Sequence, residues 1–379
     1  MNEFVSQRAR AVPHSVFGLM YRAAQEARAS GHQVIDLSLG SLDLPPPPQA
    51  LAALHRAVDD PSTYPYGVET KFFRIEAAAW LERRFGAQVS PEAVQPLLGA
   101  QEGLAHLLLA VTDPGDYLLL PAACYPAYWG AAAVAGLQTY PLELDHSGRA
   151  ILEAPSAVLK QAKVLLLNYP ANPTGALADQ AYLGQALDFA RQHGLLLVHD
   201  NPYAELIFTG SPLAALALPG ALEQTVELFS FSKGHRMMGF RIGFAAGNLS
   251  AIRALETVKG PIDFNPYRGF LQMGVAALNT PVAWVEAGAQ TLRERAQAAV
   301  AALNSVGIPA RMPGGSMYLW FPAPDEDDLE FALNAAKQGG VVLSPGRGFG
   351  PGGTGFLRLA LVAPTEVLLE ACERLEHLV

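Results

Sequence analysis

The chain has 379 residues, of which 50% are hydrophobic and 16% charged, a composition that supports a large core and excludes a disordered protein. Its formal charge of -9 gives no electrostatic reason to expect nucleic acid or an anionic membrane as partner. Its two cysteines, Cys124 and Cys372, form no ligand cluster, so no metal site is expected and a reducing compartment is indicated. The start of the chain, residues 1–8, lacks a basic segment followed by an apolar stretch of signal-peptide length. The richest apolar runs, such as Val164-Leu165-Leu166-Leu167 and Leu195-Leu196-Leu197-Val198, suit buried strands and fall far below a membrane span. These features predict a soluble, cytoplasmic protein.

In chain order, a helix is expected near residues 16–30, followed by the stiff connector Ser41-Leu42-Asp43-Leu44-Pro45-Pro46-Pro47-Pro48. From about residue 94, short apolar runs alternate with longer Ala- and Leu-rich stretches. The runs at 94–99, 116–121, 137–142, 163–168, 195–200, 226–231 and 242–246 read as strands. Such alternation predicts a seven-stranded, mostly parallel sheet with helices on both faces, an α/β architecture. After about residue 275 long Ala-rich helices take over, then strands near 316–321 and 355–361. We therefore expect an N-terminal arm (1–44) joined in space to a smaller C-terminal α+β domain (276–379), with a large domain (45–275) between them.

Ligands in open α/β sheets lie outside the carboxyl ends of strands, and several chemically useful residues fall there. Gly99-Ala100-Gln101-Glu102-Gly103 opens a helix after a strand and offers free backbone N–H groups to a phosphate. Tyr125, after the next strand, could stack on a planar ring or simply pack. Asn168-Tyr169-Pro170-Ala171-Asn172-Pro173-Thr174-Gly175 reads as a tight turn whose Asn172 amide could meet a ligand. Asp200, closing a strand in His199-Asp200-Asn201-Pro202-Tyr203, could keep a pyridine nitrogen protonated, though such an Asp also serves as a cap. Tyr203 offers a phenol nearby.

The run Ser230-Phe231-Ser232-Lys233 continues to Gly239-Phe240-Arg241-Ile242-Gly243. A lysine amine is a poor nucleophile while protonated and gains reactivity beside cationic or apolar groups. Hydroxyls one and three residues before Lys233, and a guanidinium eight after it, could hold a phosphate while the amine binds the aldehyde of the same molecule. Pyridoxal phosphate has both groups and serves as an electron sink. Near the far end, Arg358 lies within an apolar strand, where its charge needs a partner: a substrate carboxylate or a buried acid.

Together these motifs resemble the fold-type I pyridoxal-phosphate enzymes, specifically class I/II aminotransferases, over nearly the whole chain. The segments at 167–175 and 199–203 look nearest to diaminopimelate and N-succinyldiaminopimelate aminotransferases, enzymes of lysine biosynthesis. The resemblance implies the aspartate aminotransferase-like fold and transfer of an amino group between an L-amino acid and a 2-oxo acid by a ping-pong mechanism. It also implies pyridoxal 5'-phosphate as cofactor, with Lys233 bonded to it and shuttling the proton, and Asp200 on the pyridinium. Asn172 and Tyr203 would contact the phenolate oxygen, Tyr125 the ring, and Ala100, Gln101, Ser230 and Arg241 the phosphate. Arg358 and Gly40, with Asn172, match positions at the substrate carboxylate. The family is usually a homodimer with shared active sites, and Tyr64 or Tyr66, in Thr63-Tyr64-Pro65-Tyr66-Gly67, matches a tyrosine reaching the neighbour's phosphate.

Here the sequence departs from the family: its glycine follows Tyr66 directly, and Gly40-Ser41-Leu42-Asp43 replaces the commoner Gly-acidic-Pro pattern. Arg268 could read a distal carboxylate or lie on the surface; Tyr21 could line the pocket or pack its helix. Two other readings stay open at this level. One is a carbon–sulfur β-lyase of the same fold; the other is a non-catalytic sensing module.

Overall fold

The strands of the central region are continuous apolar runs because helices cover both faces of the sheet they form. The computed structural model describes residues 4–13, 15–324 and 327–378. After the short β1 (Ile35–Asp36), seven strands build the main sheet: β2 (Val94–Leu97), β3 (Tyr117–Pro121), β4 (Gln138–Leu142), β5 (Ala162–Leu167), β6 (Leu196–Asp200), β7 (Thr225–Ser230) and β8 (Gly243–Gly247). Their order is β2-β8-β7-β6-β5-β3-β4. Only β8 runs against its neighbours, β2 and β7; the rest pair in parallel. Each expected strand lies within two residues of its position in the sheet. The first ends early because Gly99, at φ 91°, turns the chain into the helix Ala100–Val111.

The chain moves outward from β3 to β4, then returns past β3 to β5 and proceeds the other way. That reversal opens a crevice at the carboxyl ends of β3 and β5, the usual ligand position in doubly wound sheets. Helix Ala100–Val111 packs against Leu249–Ile262, and helix Pro48–Asp59 against Arg268–Leu278. Two apolar layers enclose the sheet. One includes Leu104, Leu120 and Leu166, the other Leu119, Leu165 and Leu187.

The remaining strands are β9 (Tyr318–Pro322), β10 (Val341–Val342), β11 (Ser344–Pro345) and β12 (Phe356–Ala360). β1 pairs with β10, and β11-β12-β9 form an antiparallel sheet. Helix Val16–Ala29 packs on Asp328–Gly339, so Met20 and Leu37 share one core with Phe331, Leu359 and Leu368. Among the described residues, no helix is long and apolar enough to cross a membrane.

Candidate active site

A cavity of ≈ 260 Å³ opens where the carboxyl ends of β5, β6 and β7 meet β9 and β12, lined by Gly40, Ala100, Gln101, Tyr125, Asn172, Asp200, Tyr203, Ser230, Lys233, Arg241 and Arg358 among others. Every site residue expected from the sequence is there except Tyr64. That side chain is exposed, and its hydroxyl donates to the Val58 carbonyl at 2.7 Å. Tyr66 is also exposed and meets Phe264 edge-on. Tyr21, too, is exposed on its helix.

Lys233 follows the end of β7, and its Nζ donates to the Gly40 carbonyl at 2.6 Å. This bond ties the N-terminal segment to the floor of the cavity. A Cβ on Gly40 would lie 2.1 Å from the Tyr318 hydroxyl and 3.3 Å from Lys233 Nζ, so no larger residue fits.

Asp200 ends β6 and is 7% exposed. Burial pushes its pKa up to about 6, while the Tyr128 hydrogen bond and the charge of His199 pull the other way. Oδ2 accepts from the Tyr128 hydroxyl at 2.5 Å, but Oδ1 is buried with no hydrogen-bond partner among the described residues. An orphaned carboxylate oxygen is unfavourable by about 1–3 kcal/mol or more. A protonated ring nitrogen is the kind of donor that would relieve it. Behind Asp200, His199 is fixed by Glu227 Oε1 at 2.7 Å and the Tyr169 carbonyl at 3.1 Å.

The helix beginning at Ala100 aims its free N–H groups at the cavity's edge. Gly99 brings Arg241 close: a Cβ there would sit 2.8 Å from Arg241 Nη2. Arg241 itself has φ 53°, and Nη1 donates to the Met238 carbonyl at 3.0 Å. Ser230 Oγ accepts the Ser232 N–H at 3.1 Å. Helix N-terminus, hydroxyls and guanidinium form an anion cup. The nearby Glu102 carboxylate is compensated by the buried Lys259 ammonium, 2.9 Å away, which also pairs with Asp263 at 2.6 Å. Glu102, His106 and Asp263 are close enough to hold a cation, but the Lys259 charge already occupies that role. Tyr125 donates to Gln101 Oε1 at 3.0 Å on the cavity's wall.

On the opposite wall Arg358 is 1% exposed. Its Nη1 donates to Asn172 Oδ1 at 2.8 Å, and Nη2 to the Ser38 carbonyl at 2.5 Å and Ser344 Oγ at 3.3 Å. Among the described residues no carboxylate pairs with it, which removes the buried ion pair that the sequence left open, and Nε has no partner there either. Burial lowers the Arg358 pKa, opposed by the surrounding phenols. A guanidinium preformed this way binds a carboxylate bidentately. Asn172 Nδ2 meanwhile donates to the Tyr203 hydroxyl at 3.4 Å, which lies 3.3 Å from that of Tyr318.

Sequence reasoning missed Tyr128 and Tyr318. Tyr128 lies three residues after Tyr125, in the first turn of the helix Ala127–Ala135, and that closeness in sequence could have placed both beside Asp200. Tyr318 carries no such signal, because its aromatic strand reads as core. Arg268, also left open, sits beside Phe72 with Nε unpartnered among the described residues, outside this cavity.

An anion cup, a lysine, a buried carboxylate oxygen without a donor and a buried guanidinium without an acid among the described residues fit the phosphate, aldehyde and ring of pyridoxal phosphate together with a carboxylate substrate. The class that fold and site define is the pyridoxal-phosphate enzyme of aspartate aminotransferase-like architecture. The chain belongs to the aminotransferase class I and II family, whose model matches residues 32–375. It is 36% identical to LL-diaminopimelate aminotransferase of Syntrophobacter fumaroxidans over 98% of each chain, and 37% identical to that of Gloeobacter violaceus over 96% of each. Among solved structures it is similar to a probable N-succinyldiaminopimelate aminotransferase from Thermus thermophilus, with TM-score 0.93, 51% identity, and coverage of 96% of this chain and 100% of that one. A substrate-bound BacF structure from Bacillus subtilis matches with TM-score 0.95 and 31% identity over 99% and 98%. The protein is a pyridoxal-phosphate-dependent aminotransferase, acting on an amino acid and a 2-oxo acid; the β-lyase and sensing readings are set aside.

Proposed function

We propose that this aminotransferase acts on a diaminopimelate-type donor, LL-diaminopimelate or its N-succinyl derivative, with the cavity residues in the following roles. Arg358, held by Asn172, Ser38 and Ser344, clamps the donor's α-carboxylate. When bound, pyridoxal phosphate supplies an aldehyde that captures amines and a protonated ring that takes up electrons from the α-carbon. Asp200 Oδ1 accepts the ring N–H, and the hydrogen bond from Tyr128 keeps that carboxylate oriented. Asn172 and Tyr203 donate to the phenolate oxygen, and Tyr125 covers the ring. Ala100 and Gln101 N–H groups, Ser230 and Arg241 hold the phosphate. With cofactor and donor bound, Lys233 Nζ would take the donor's α-proton and hold it for return, acting as general base and then acid.

The observation that carries the general reading is the presence, in one cavity, of Lys233 and of an Asp200 oxygen that lacks a donor among the described residues. The substrate class is supported by the named relatives and by room for a long side chain. A groove of ≈ 690 Å³ shares Phe17, Gln101, Tyr125 and Arg241 with the cavity.

We further propose a cytoplasmic homodimer. Val58, Tyr64, Tyr66, Val68, Ile262 and Phe264 are exposed, and a second copy would cover them while bringing Tyr64 or Tyr66 to its phosphate cup. Residues 1–44 and 276–379 would form one smaller domain beside the large domain of residues 45–275.

A spectrophotometric panel tests the function. Conversion of the cofactor from its aldehyde to its amine form should be fastest with diaminopimelate or its N-succinyl form, ahead of aspartate, alanine and aromatic amino acids. Preference for one of the latter contradicts the substrate proposal. Release of pyruvate and ammonia from cystathionine without an oxo acid reveals lyase chemistry instead.

A further inference from the structure

We propose that Tyr318 is a positioning residue with two separable parts: its ring holds Arg358 for the substrate carboxylate, and its hydroxyl sets the place of the Lys233 amine. The inference rests on the roles just proposed for those two residues.

The ring observation comes first. Arg358 Cζ lies 4.1 Å from the centre of the Tyr318 ring and 4.6 Å from that of Phe349. A buried guanidinium with no carboxylate needs other means to stay charged and in place, and an aromatic face provides both. β9 and β12 set this geometry through their register, in which Tyr318 faces Ala360 and Trp320 faces Arg358.

The hydroxyl has a separate setting. A tyrosine used only as core filler has no need of its oxygen, and a buried phenol normally finds a good partner. Tyr318 is 2% exposed, yet among the described residues its hydroxyl has only the 3.3 Å contact with Tyr203. It also closes, together with Lys233 Nζ, on the space that a Cβ at Gly40 would take. The missing side chain at position 40 is therefore what allows phenol and amine to face each other across a backbone whose carbonyl already holds the amine.

Electrostatics fit this arrangement. Burial opposes ionisation of Tyr318, but the charges of Lys233 and Arg358 outweigh it and lower its pKa. Burial and the neighbouring Tyr318 raise that of Tyr203. Either hydroxyl can donate in the pair, and the Tyr318 oxygen keeps a lone pair that can accept from the amine.

The test compares wild type, Tyr318→Phe and Tyr318→Leu as cofactor-loaded enzymes. It measures kcat and KM for LL-diaminopimelate, and calorimetric binding of pimelate, a dicarboxylate without amines. Phe keeps the ring, so pimelate affinity should stay within about twofold while kcat falls roughly three- to tenfold, the value of one hydrogen bond. Leu should lower kcat similarly and also weaken pimelate binding roughly tenfold or more. Should the Leu protein be insoluble, Tyr318→Met replaces it as an unbranched filler. A wild-type kcat in the Phe variant overturns the hydroxyl's part. Wild-type pimelate affinity in the variant without a ring overturns the ring's part. Lys233→Ala separates the levels: if it still turns over, the underlying reading falls. If it is inactive while Tyr318→Phe is normal, only this inference falls.

Discussion

Two arginines flank the cavity, and they are held in opposite ways. Arg241 is exposed, with its guanidinium bonded only to the Met238 carbonyl among the described residues and its backbone in the left-handed region at φ 53°. Arg358 is 1% exposed and wrapped by Asn172, Ser38, Ser344 and aromatic rings. The first is aimed by backbone shape, at about 1–2 kcal/mol of local strain. The second is aimed by side-chain contacts and has already lost its water. A ligand reaching Arg241 displaces solvent and shares the anion with backbone N–H groups and hydroxyls. A carboxylate reaching Arg358 meets a desolvated charge with no competing acid among the described residues. On the roles proposed, labour would be divided: a distributed grip on the phosphate and a grip on the substrate concentrated in one group.

That contrast can be broken by mutation, and the largest effect belongs to Arg358. Removing one member of a buried charge pair is worth roughly 2–5 kcal/mol, so Arg358→Ala should lower kcat/KM roughly a hundredfold or more in steady-state assays. Arg358→Lys should recover little of it, because the bidentate fork is lost. Arg241→Ala should be milder. Cofactor affinity, measured by equilibrium dialysis, should weaken roughly tenfold, and the difference from wild type should shrink as salt rises. Equal losses for the two arginines would remove the distinction.

A third effect of intermediate size sharpens the account of Asp200. Its folded pKa of about 6 stands above the ordinary 3.8. In cofactor-free protein, this group's contribution to stability is therefore complete below about pH 4 and is lost as pH rises through about 6. Against Asp200→Asn, the wild-type unfolding free energy should decline by about 2.5 kcal/mol between pH 4 and pH 8. Denaturant titrations of both proteins across that range measure it. A pH-independent difference would mean that folding leaves the Asp200 pKa unshifted. The smallest effect is expected at the surface: Tyr64→Phe should leave folding unchanged, because its hydroxyl bonds only an exposed carbonyl at 2.7 Å. If Tyr64 reaches a partner's phosphate, cofactor affinity should drop a few-fold.

Much of the site was legible because its residues mark the ends of strands. An apolar run that stops at Asp200, Ser230 or Asn168 puts polar atoms at one edge of a parallel sheet, and sequence order then gives their sides. Gly99 was legible for a related reason, since only a residue tolerant of positive φ turns a strand so sharply into a helix. Other parts left no trace in the chain. The Ser38 carbonyl that braces Arg358 is backbone and carries no residue signature. β1 and β10 have two residues each, too few to show a period. Tyr318 was hidden because a strand of Tyr, Leu, Trp and Phe satisfies every expectation for core, and only the third dimension shows its hydroxyl beside Gly40. Tyr128 came between these cases: its closeness to Tyr125 in sequence was visible, but the carboxylate it meets lies 72 residues further on.

The central claim is that Lys233 carries the cofactor. Holoenzyme reduced with borohydride and digested should yield one peptide bearing a pyridoxyl group, with the added mass on Lys233 by tandem mass spectrometry. A label on Lys259 or any other lysine, or no stoichiometric label at all, contradicts the account.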